Sequence, residues 1–166
     1  YTANWISQPW QKDPTRTYTY GVYLQNQMEI GDRLQVLLGL RQEFYTNRLN
    51  SEDGFEYIDQ NKLLPRAGVV YSISDQVNAY GTYTEGFEPQ DAVTLQDPEI
   101  YGGPFDPLTS RMVEGGFKTE LFNKRLLASL ALYQITQNNI LVSANTPGNP
   151  NLLEQRGQER SRGFEI

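Results

Sequence analysis

The chain has 166 residues, a net charge of −6, and neither Cys nor His. Those absences exclude disulfides, thiolate nucleophiles, Cys-based zinc sites and the commonest general base, and the negative charge argues against nucleic-acid binding, which needs clustered Lys and Arg. Hydrophobic residues are 38%, low for a water-soluble core of this size, while aromatics reach 12% with 11 Tyr; that mixture is expected where each strand has a lipid face, a wet face and aromatic girdles.

No run approaches the roughly 18 apolar residues of a transmembrane helix. The chain begins at Tyr1 without Met and ends at Ile166 inside a strand pattern, so it is expected to be a segment of a longer protein. Between Thr17 and Ile30 the residues alternate: Tyr18, Tyr20, Val22, Leu24, Met28 and Ile30 on one face, Thr17, Thr19, Gln25, Gln27 and Glu29 on the other. That period of two predicts a strand longer than a globular one. Gly31-Asp32 suits a tight hairpin turn. Alternation then resumes, with Leu34, Val36, Leu38, Leu40 and Phe44 opposite Arg33, Gln35, Arg41, Glu43 and Tyr45. Residues 46–62, with Asn47, Asn50, Ser51, Asp53, Gly54 and Asn61, read as a long polar loop.

A second hairpin carries Ala67, Val69, Tyr71 and Ile73, turns at Ser74-Asp75-Gln76, and returns with Val77, Ala79, Gly81 and Tyr83. A loop at about residues 86–109 holds Pro89, Pro98, Pro104 and Pro107. The third hairpin starts near Arg111, turns at Asn123-Lys124 and returns through Leu126, Ala128, Leu130 and Leu132. A third long loop runs from about Gln137 to Ser161, and a last strand begins at Arg162. Short turns thus alternate with long loops, as periplasmic turns and extracellular loops do in an outer-membrane barrel. The predicted fold is all-β, an antiparallel up-and-down transmembrane β-barrel segment.

Several stretches resemble TonB-dependent ferric-siderophore receptors of the ferrichrome and pyoverdine branch. LLPRAGVVYSISDQVNAYGTYTEGFEPQ is similar to the family's Pro-Arg-x-Gly-x-x-Tyr strand and Tyr-x-x-Tyr-x-x-x-Phe-x-Pro run, through Pro65, Arg66, Gly68, Tyr71, Tyr80, Tyr83, Phe87 and Pro89. Glu114, Gly116 and Lys118 match its Glu-x-Gly-x-Lys hairpin; Arg160, Arg162, Gly163 and Glu165 match its Arg-x-Arg-Gly-x-Glu strand. The resemblance implies that the chain supplies about six to seven strands of a 22-stranded barrel around a plug. Plug and TonB box lie upstream in the family, so the plug domain is expected to be absent from residues 1–166. It further implies ferric-siderophore uptake energised by TonB through the plug, with outer-membrane lipid around the barrel. Cobalamin, a glycan, a plug-less porin and a soluble β-rich module remain alternatives.

Arg41, Glu43, Arg66, Glu114, Lys118 and Glu120 fall on the wet parity and are candidates for the lumen or plug-facing wall. A lipid-facing charge would cost about 2–4 kcal/mol at the midplane. The resemblance makes the loop aromatics Trp5, Trp10, Phe87, Tyr101 and Phe105 candidates for siderophore contact. Strand glycines, among them Gly68 and Gly116, mark curvature or room for a plug. No catalytic motif, cofactor site or metal site is predicted; Asn50-Ser51-Glu52-Asp53-Gly54 resembles a calcium loop but lacks its ligand spacing.

Overall fold

The computed structural model describes residues 16–51, 54–90, 94–95, 97–123 and 125–166. Among the described residues nine strands form: β1 (Arg16–Ile30), β2 (Leu34–Ser51), β3 (Gly54–Ser74), β4 (Val77–Glu88), β5 (Leu108–Leu121), β6 (Leu126–Asn138), β7 (Leu141–Ser143), β8 (Leu153–Gln155) and β9 (Gln158–Glu165). A short helix, α1 (Pro98–Tyr101), lies between β4 and β5. Seven strands make one antiparallel sheet in the order β1-β2-β3-β4-β5-β6-β9, and β7-β8 form a separate ribbon. Each strand of the large sheet pairs with the next in chain order, with the β7–β8 ribbon inserted between β6 and β9, the up-and-down arrangement of a barrel wall.

The register turns the alternation into two continuous faces. Met28, Val36, Val69, Gly81, Gly115, Leu132 and Phe164 form one row across all seven strands. This apolar face stays open, with Leu24 76%, Leu40 48%, Phe117 49% and Leu132 61% exposed. Among the described residues the buried apolar side chains are Leu49, Leu64, Phe105 and Ala131. A soluble sheet needs a second layer over its apolar face; among the described residues no second layer covers this one. On β2 the apolar band runs from Leu34 to Phe44, about 34 Å along a strand, which a tilt near 45° reduces to about 24 Å, the height of a barrel's lipid band. Its loop-side end is marked by Tyr20 stacked on Phe44, centroids 4.9 Å apart and planes 16° apart, where amphipathic rings suit the headgroup boundary.

The expected loop at residues 46–62 is instead hairpin: β2 continues to Ser51 and β3 begins at Gly54, with every residue between Thr46 and Ser51 paired. Beyond the band polar and apolar residues share a face, as buried Asn47 and Leu49 do, so the hydrophobic alternation stops although the backbone ladder continues. The turns are also longer or shorter than expected. Ile30 pairs with Leu34 around three residues opened by Gly31 at φ 63. Ser74 pairs with Val77 around two, beside a bulge. Leu121 pairs with Leu126 around four. The last strand starts at Gln158, four residues before the expected Arg162.

Candidate functional site: the polar inner wall and its rim

The second face of the sheet is polar and lines a trough of about 880 Å³, walled by Gln35, Arg66, Tyr80, Glu114, Lys118 and Glu120 among others. The register puts all six charged candidates on this face. Arg41 and Glu43 stand in β2, opposite Leu64 and Lys62; Arg66 faces Gly39 and Thr84; Glu114, Lys118 and Glu120 stand in β5, opposite Tyr133, Ser129 and Leu127. Arg41 Nε lies 2.6 Å from Glu43 Oε1. Tyr80 donates its hydroxyl to Glu114 at 2.8 Å, and Lys118 Nζ sits 5.1 Å from the Tyr80 ring centroid. Arg66 makes no ion pair among the described residues, which leaves a cation facing the trough.

The long side chains of this wall lie flat because glycines receive them. A Cβ on Gly39 would meet Arg66 Cγ at 2.8 Å; one on Gly116 would meet Tyr80 Cε1 at 2.9 Å and the Leu130 carbonyl; one on Gly163 would meet the Tyr133 ring and hydroxyl. Gly21 holds Arg41 in the same way, with Nε 3.3 Å from the Cβ position. Each glycine therefore removes a side chain from the inner face and seats a neighbour's on the backbone. The trough stays open as a result. Gly68 seats nothing: its nearest atom would be 3.8 Å away.

Above the wall, the β4–β5 and β6–β9 connections are joined into one rim. Gln155 clasps Asp106, donating from Nε2 to its carbonyl at 2.6 Å and accepting its N–H at 3.0 Å. Gln90 Nε2 donates to the same Asp106 carbonyl at 3.0 Å and to the Asn139 carbonyl at 3.3 Å. Asn139 Nδ2 donates to the Pro107 carbonyl at 2.9 Å, and Asn149 Nδ2 to the Ile100 carbonyl at 2.9 Å. Gln60 of β3 accepts the Gln90 N–H at 3.2 Å, tying the tall β2–β3 hairpin to the same unit. These bonds satisfy backbone groups that two loops alone would leave to water.

The loop aromatics divide. Phe105 is 8% exposed, its ring against the Cβ positions of Gly102 and Gly103, so it packs the rim from within. Tyr101 is half-buried at the end of α1. Phe87 stands in β4, on the parity of Tyr83 rather than of Tyr80, above the apolar band. Trp5 and Trp10 lie outside the described residues. Sequence reasoning missed the rim amides Gln60, Gln90, Asn139 and Gln155, because their partners are far away in the chain. It also missed Tyr80 as a wall anchor, although an aromatic on the polar parity was the visible signal.

The TonB dependent receptor-like, beta-barrel family model matches residues 1–166. The chain is 30% identical over 151 residues to the metal-pseudopaline receptor CntO of Pseudomonas aeruginosa, covering 86% of this chain and 20% of that receptor. It is 29% identical to the ferric-pyoverdine 358 receptor of Pseudomonas putida, covering 88% and 18%, and 29% identical to the ferrichrome outer membrane transporter/phage receptor of Escherichia coli, covering 93% and 21%. Among solved structures, P. aeruginosa FpvA bound to heterologous pyoverdines superposes with a TM-score of 0.78 at 25% identity, over 95% of this chain and 21% of that one. The alcaligin receptor FauA of Bordetella pertussis gives 0.66 at 27% identity, over 92% and 27%. The chain spans about a fifth of the length of the curated relatives it matches. It belongs to the TonB-dependent receptor family, as part of the β-barrel that such receptors place in the Gram-negative outer membrane.

Proposed function

We propose that the whole protein takes up a ferric siderophore across the outer membrane, energised by TonB, and that this segment supplies a sector of the barrel wall and part of the ligand vestibule. The observation that carries the reading is the trough on the inner face, polar, open and topped by the fused rim. Its wall mixes cations and anions without a cluster of three or more metal-binding side chains among the described residues. Such a surface suits a bulky chelate that already holds its metal, with Arg66 and Lys118 available to oxygen-rich ligands. The relatives named for ferric-pyoverdine and ferrichrome support the cargo class.

On this reading a plug, carried elsewhere in the full protein, docks against Arg41, Glu43, Arg66, Glu114, Lys118 and Glu120. The ligand enters past the rim, where half-buried Tyr101 offers part of its ring, and Trp5 and Trp10 are further candidates for ligand contact. Phe105 holds the rim's shape. TonB then acts through the plug.

The relative named for metal-pseudopaline supports a second cargo, a metal chelate whose metal is not restricted to iron. One screen separates the two. Full-length receptor is titrated with hydroxamate, catecholate and mixed siderophores loaded with iron, then with non-ferric chelates, and uptake is followed in cells with and without TonB. Saturable, TonB-dependent uptake of a ferric siderophore is expected. TonB-independent passage of small solutes would indicate a passive porin and overturn the proposal.

A further inference from the structure

β3 and β4 are paired only part of the way up. Their register ends at Arg66 opposite Thr84, although β3 reaches up to Gly54 and β4 to Glu88. Continued without a shift, it would set Pro65 opposite Glu85, Leu63 opposite Phe87 and Asn61 opposite Pro89. The direction of the amides explains the break. Ser72 donates its N–H to Arg33 at 2.8 Å, on the β2 side, and Glu120 of β5 donates to Gln76 at 2.9 Å, at the foot of β4. Amide directions alternate along a strand, so the odd residues of β3 and of β4 turn theirs toward each other. Pro65 and Pro89 belong to those odd sets and have no N–H to give. Each opposed pair would exchange two bonds, and the prolines take one from the first pair and one from the last. Leu63 and Phe87, left between them, do not pair.

A single side chain spans this seam. Gln60 Oε1 accepts the Gln90 N–H at 3.2 Å, and Gln90 is bonded in turn to Asp106 and Asn139 of the rim. Among the described residues this is the one hydrogen bond between the tall β2–β3 hairpin and the rim. On its other side the hairpin is held by β1, which pairs with β2 as far as Arg48 and so moves with it.

Two features of the hairpin's inner side oppose each other. Leu49 is 2% exposed, so its burial favours the closed position, as the Gln60 bond does. Asn47 is 1% exposed, and its Nδ2 has no partner, although its Oδ1 accepts the Thr17 hydroxyl at 2.6 Å. A buried donor left unpaired disfavours the closed position and is relieved once water reaches it. The Thr17 bond lies within the moving body and is the same in both positions.

We propose that the β3–β4 seam is a joint in the barrel wall. Above the Arg66–Thr84 pair the β2–β3 hairpin swings away from β4 and the rim, with Gln60 as its latch, and its position sets the width of the outer mouth. The orphaned Asn47 amide offsets part of what Leu49 gains, which keeps the open position within reach. The joint rests on the register and on Gln60. That its opening admits cargo rests on the uptake reading proposed above.

The test uses full-length receptor in lipid vesicles, with nitroxide labels at Glu56→Cys on the hairpin and Val142→Cys on the rim. Label-to-label distances are read by double electron–electron resonance with no chelate present, so the outcome stands apart from the identity of the cargo. Heat-modifiable gel mobility verifies that each variant is folded. The parent should show a short-distance population and a minor longer one. Gln60→Ala should raise the ratio of long to short by about three- to tenfold, the shift expected from the loss of one hydrogen bond. Asn47→Leu, which removes the orphaned donor, should lower that ratio by a similar factor. Pro65→Ala with Pro89→Ala restores the missing donors and should also lower it. Gln158→Ala, which removes an amide bonded to Asn138 across β6–β9, should leave it unchanged. A single distance that neither Gln60→Ala nor Asn47→Leu shifts, both variants being folded, would overturn the joint. An unchanged ratio in the folded proline double variant would overturn the prolines as its cause.

Discussion

The ring of Tyr80 lies on Gly116 of the next strand, where a Cβ would stand 2.9 Å from Cε1. The same tyrosine reaches over that glycine to donate to Glu114 at 2.8 Å. A single residue is therefore both packed on the wall and bonded to it, and its neighbour Lys118 rests against its face. Gly116→Ala should displace the ring and press on the Leu130 carbonyl, lowering the stability of the full receptor by about 1–3 kcal/mol, as overpacking does. Tyr80→Phe keeps the ring and removes the donor; with Glu114 still reached by water, it should lose only about 0.5–1.5 kcal/mol. Unfolding by urea, followed by gel mobility, ranks the two; a costlier Tyr80→Phe would mean that the hydrogen bond, not the seat, holds the ring.

Leu37 and Leu38 are adjacent in β2 and face opposite solvents. Leu38 pairs with Asn26 and Ala67 on the apolar face, while Leu37 pairs with Gln27 and Gly68 on the polar one. Leu38→Arg should reduce stability by about 2–4 kcal/mol, the toll on a lipid-facing cation near the midplane. Leu37→Arg should change it by less than about 1 kcal/mol, since the side chain enters the wet trough beside a glycine. Equal losses in assembly yield would remove the facing assignment.

Gln155 makes two hydrogen bonds to one residue, Asp106, across two separate loops. Gln155→Ala should therefore loosen both connections together. Amide exchange and limited proteolysis of residues 97–107 and 139–157 should rise by about tenfold in each, corresponding to about 1.4 kcal/mol of local stability. Loosening of one loop alone would show that the rim is not a unit. Because the clasp is built from neutral amides, moderate salt should leave it unchanged.

Phe105 should behave as a packing residue of that rim. Phe105→Ala should raise exchange in the same two loops, since its ring lies beside Gly102, whose Cβ position is 3.2 Å from Leu152 Cδ1. Phe105→Leu should restore most of the protection. Tyr101→Ala should instead leave loop exchange near the parent level and lower chelate affinity. The reverse pattern would exchange the roles of the two aromatics.

The strands and their facing were legible because, over ten or eleven residues, each parity meets one solvent only. Leu34 to Phe44 could hardly be read otherwise. The same rule explains why residues 46–62 read as a loop: past Phe44, polar Asn47 and apolar Leu49 share one face and Arg48 takes the other, so no alternation marks the ladder that holds them. The charged wall was legible too, since parity alone groups Arg41 with Glu43 and Glu114 with Lys118. Which glycine receives which side chain was not, because Gly39 meets Arg66 only through register. The rim was hidden for a related reason. Gln155 and Asp106 are 49 positions apart, and nothing in either loop's sequence names its partner.

One face of this sheet is expected to meet lipid while the other lines a wet interior. The chain contains no Cys, so single cysteines introduced at successive positions 34–44 of β2 can be labelled against a background without other reactive thiols. With the full receptor in lipid vesicles, labels at Leu34, Val36, Leu38 and Leu40 should be quenched by lipid-borne quenchers and shielded from aqueous ones. Labels at Gln35, Leu37, Gly39 and Arg41 should show the opposite. Equal aqueous access along both sets, with no period of two, would contradict the barrel-wall account.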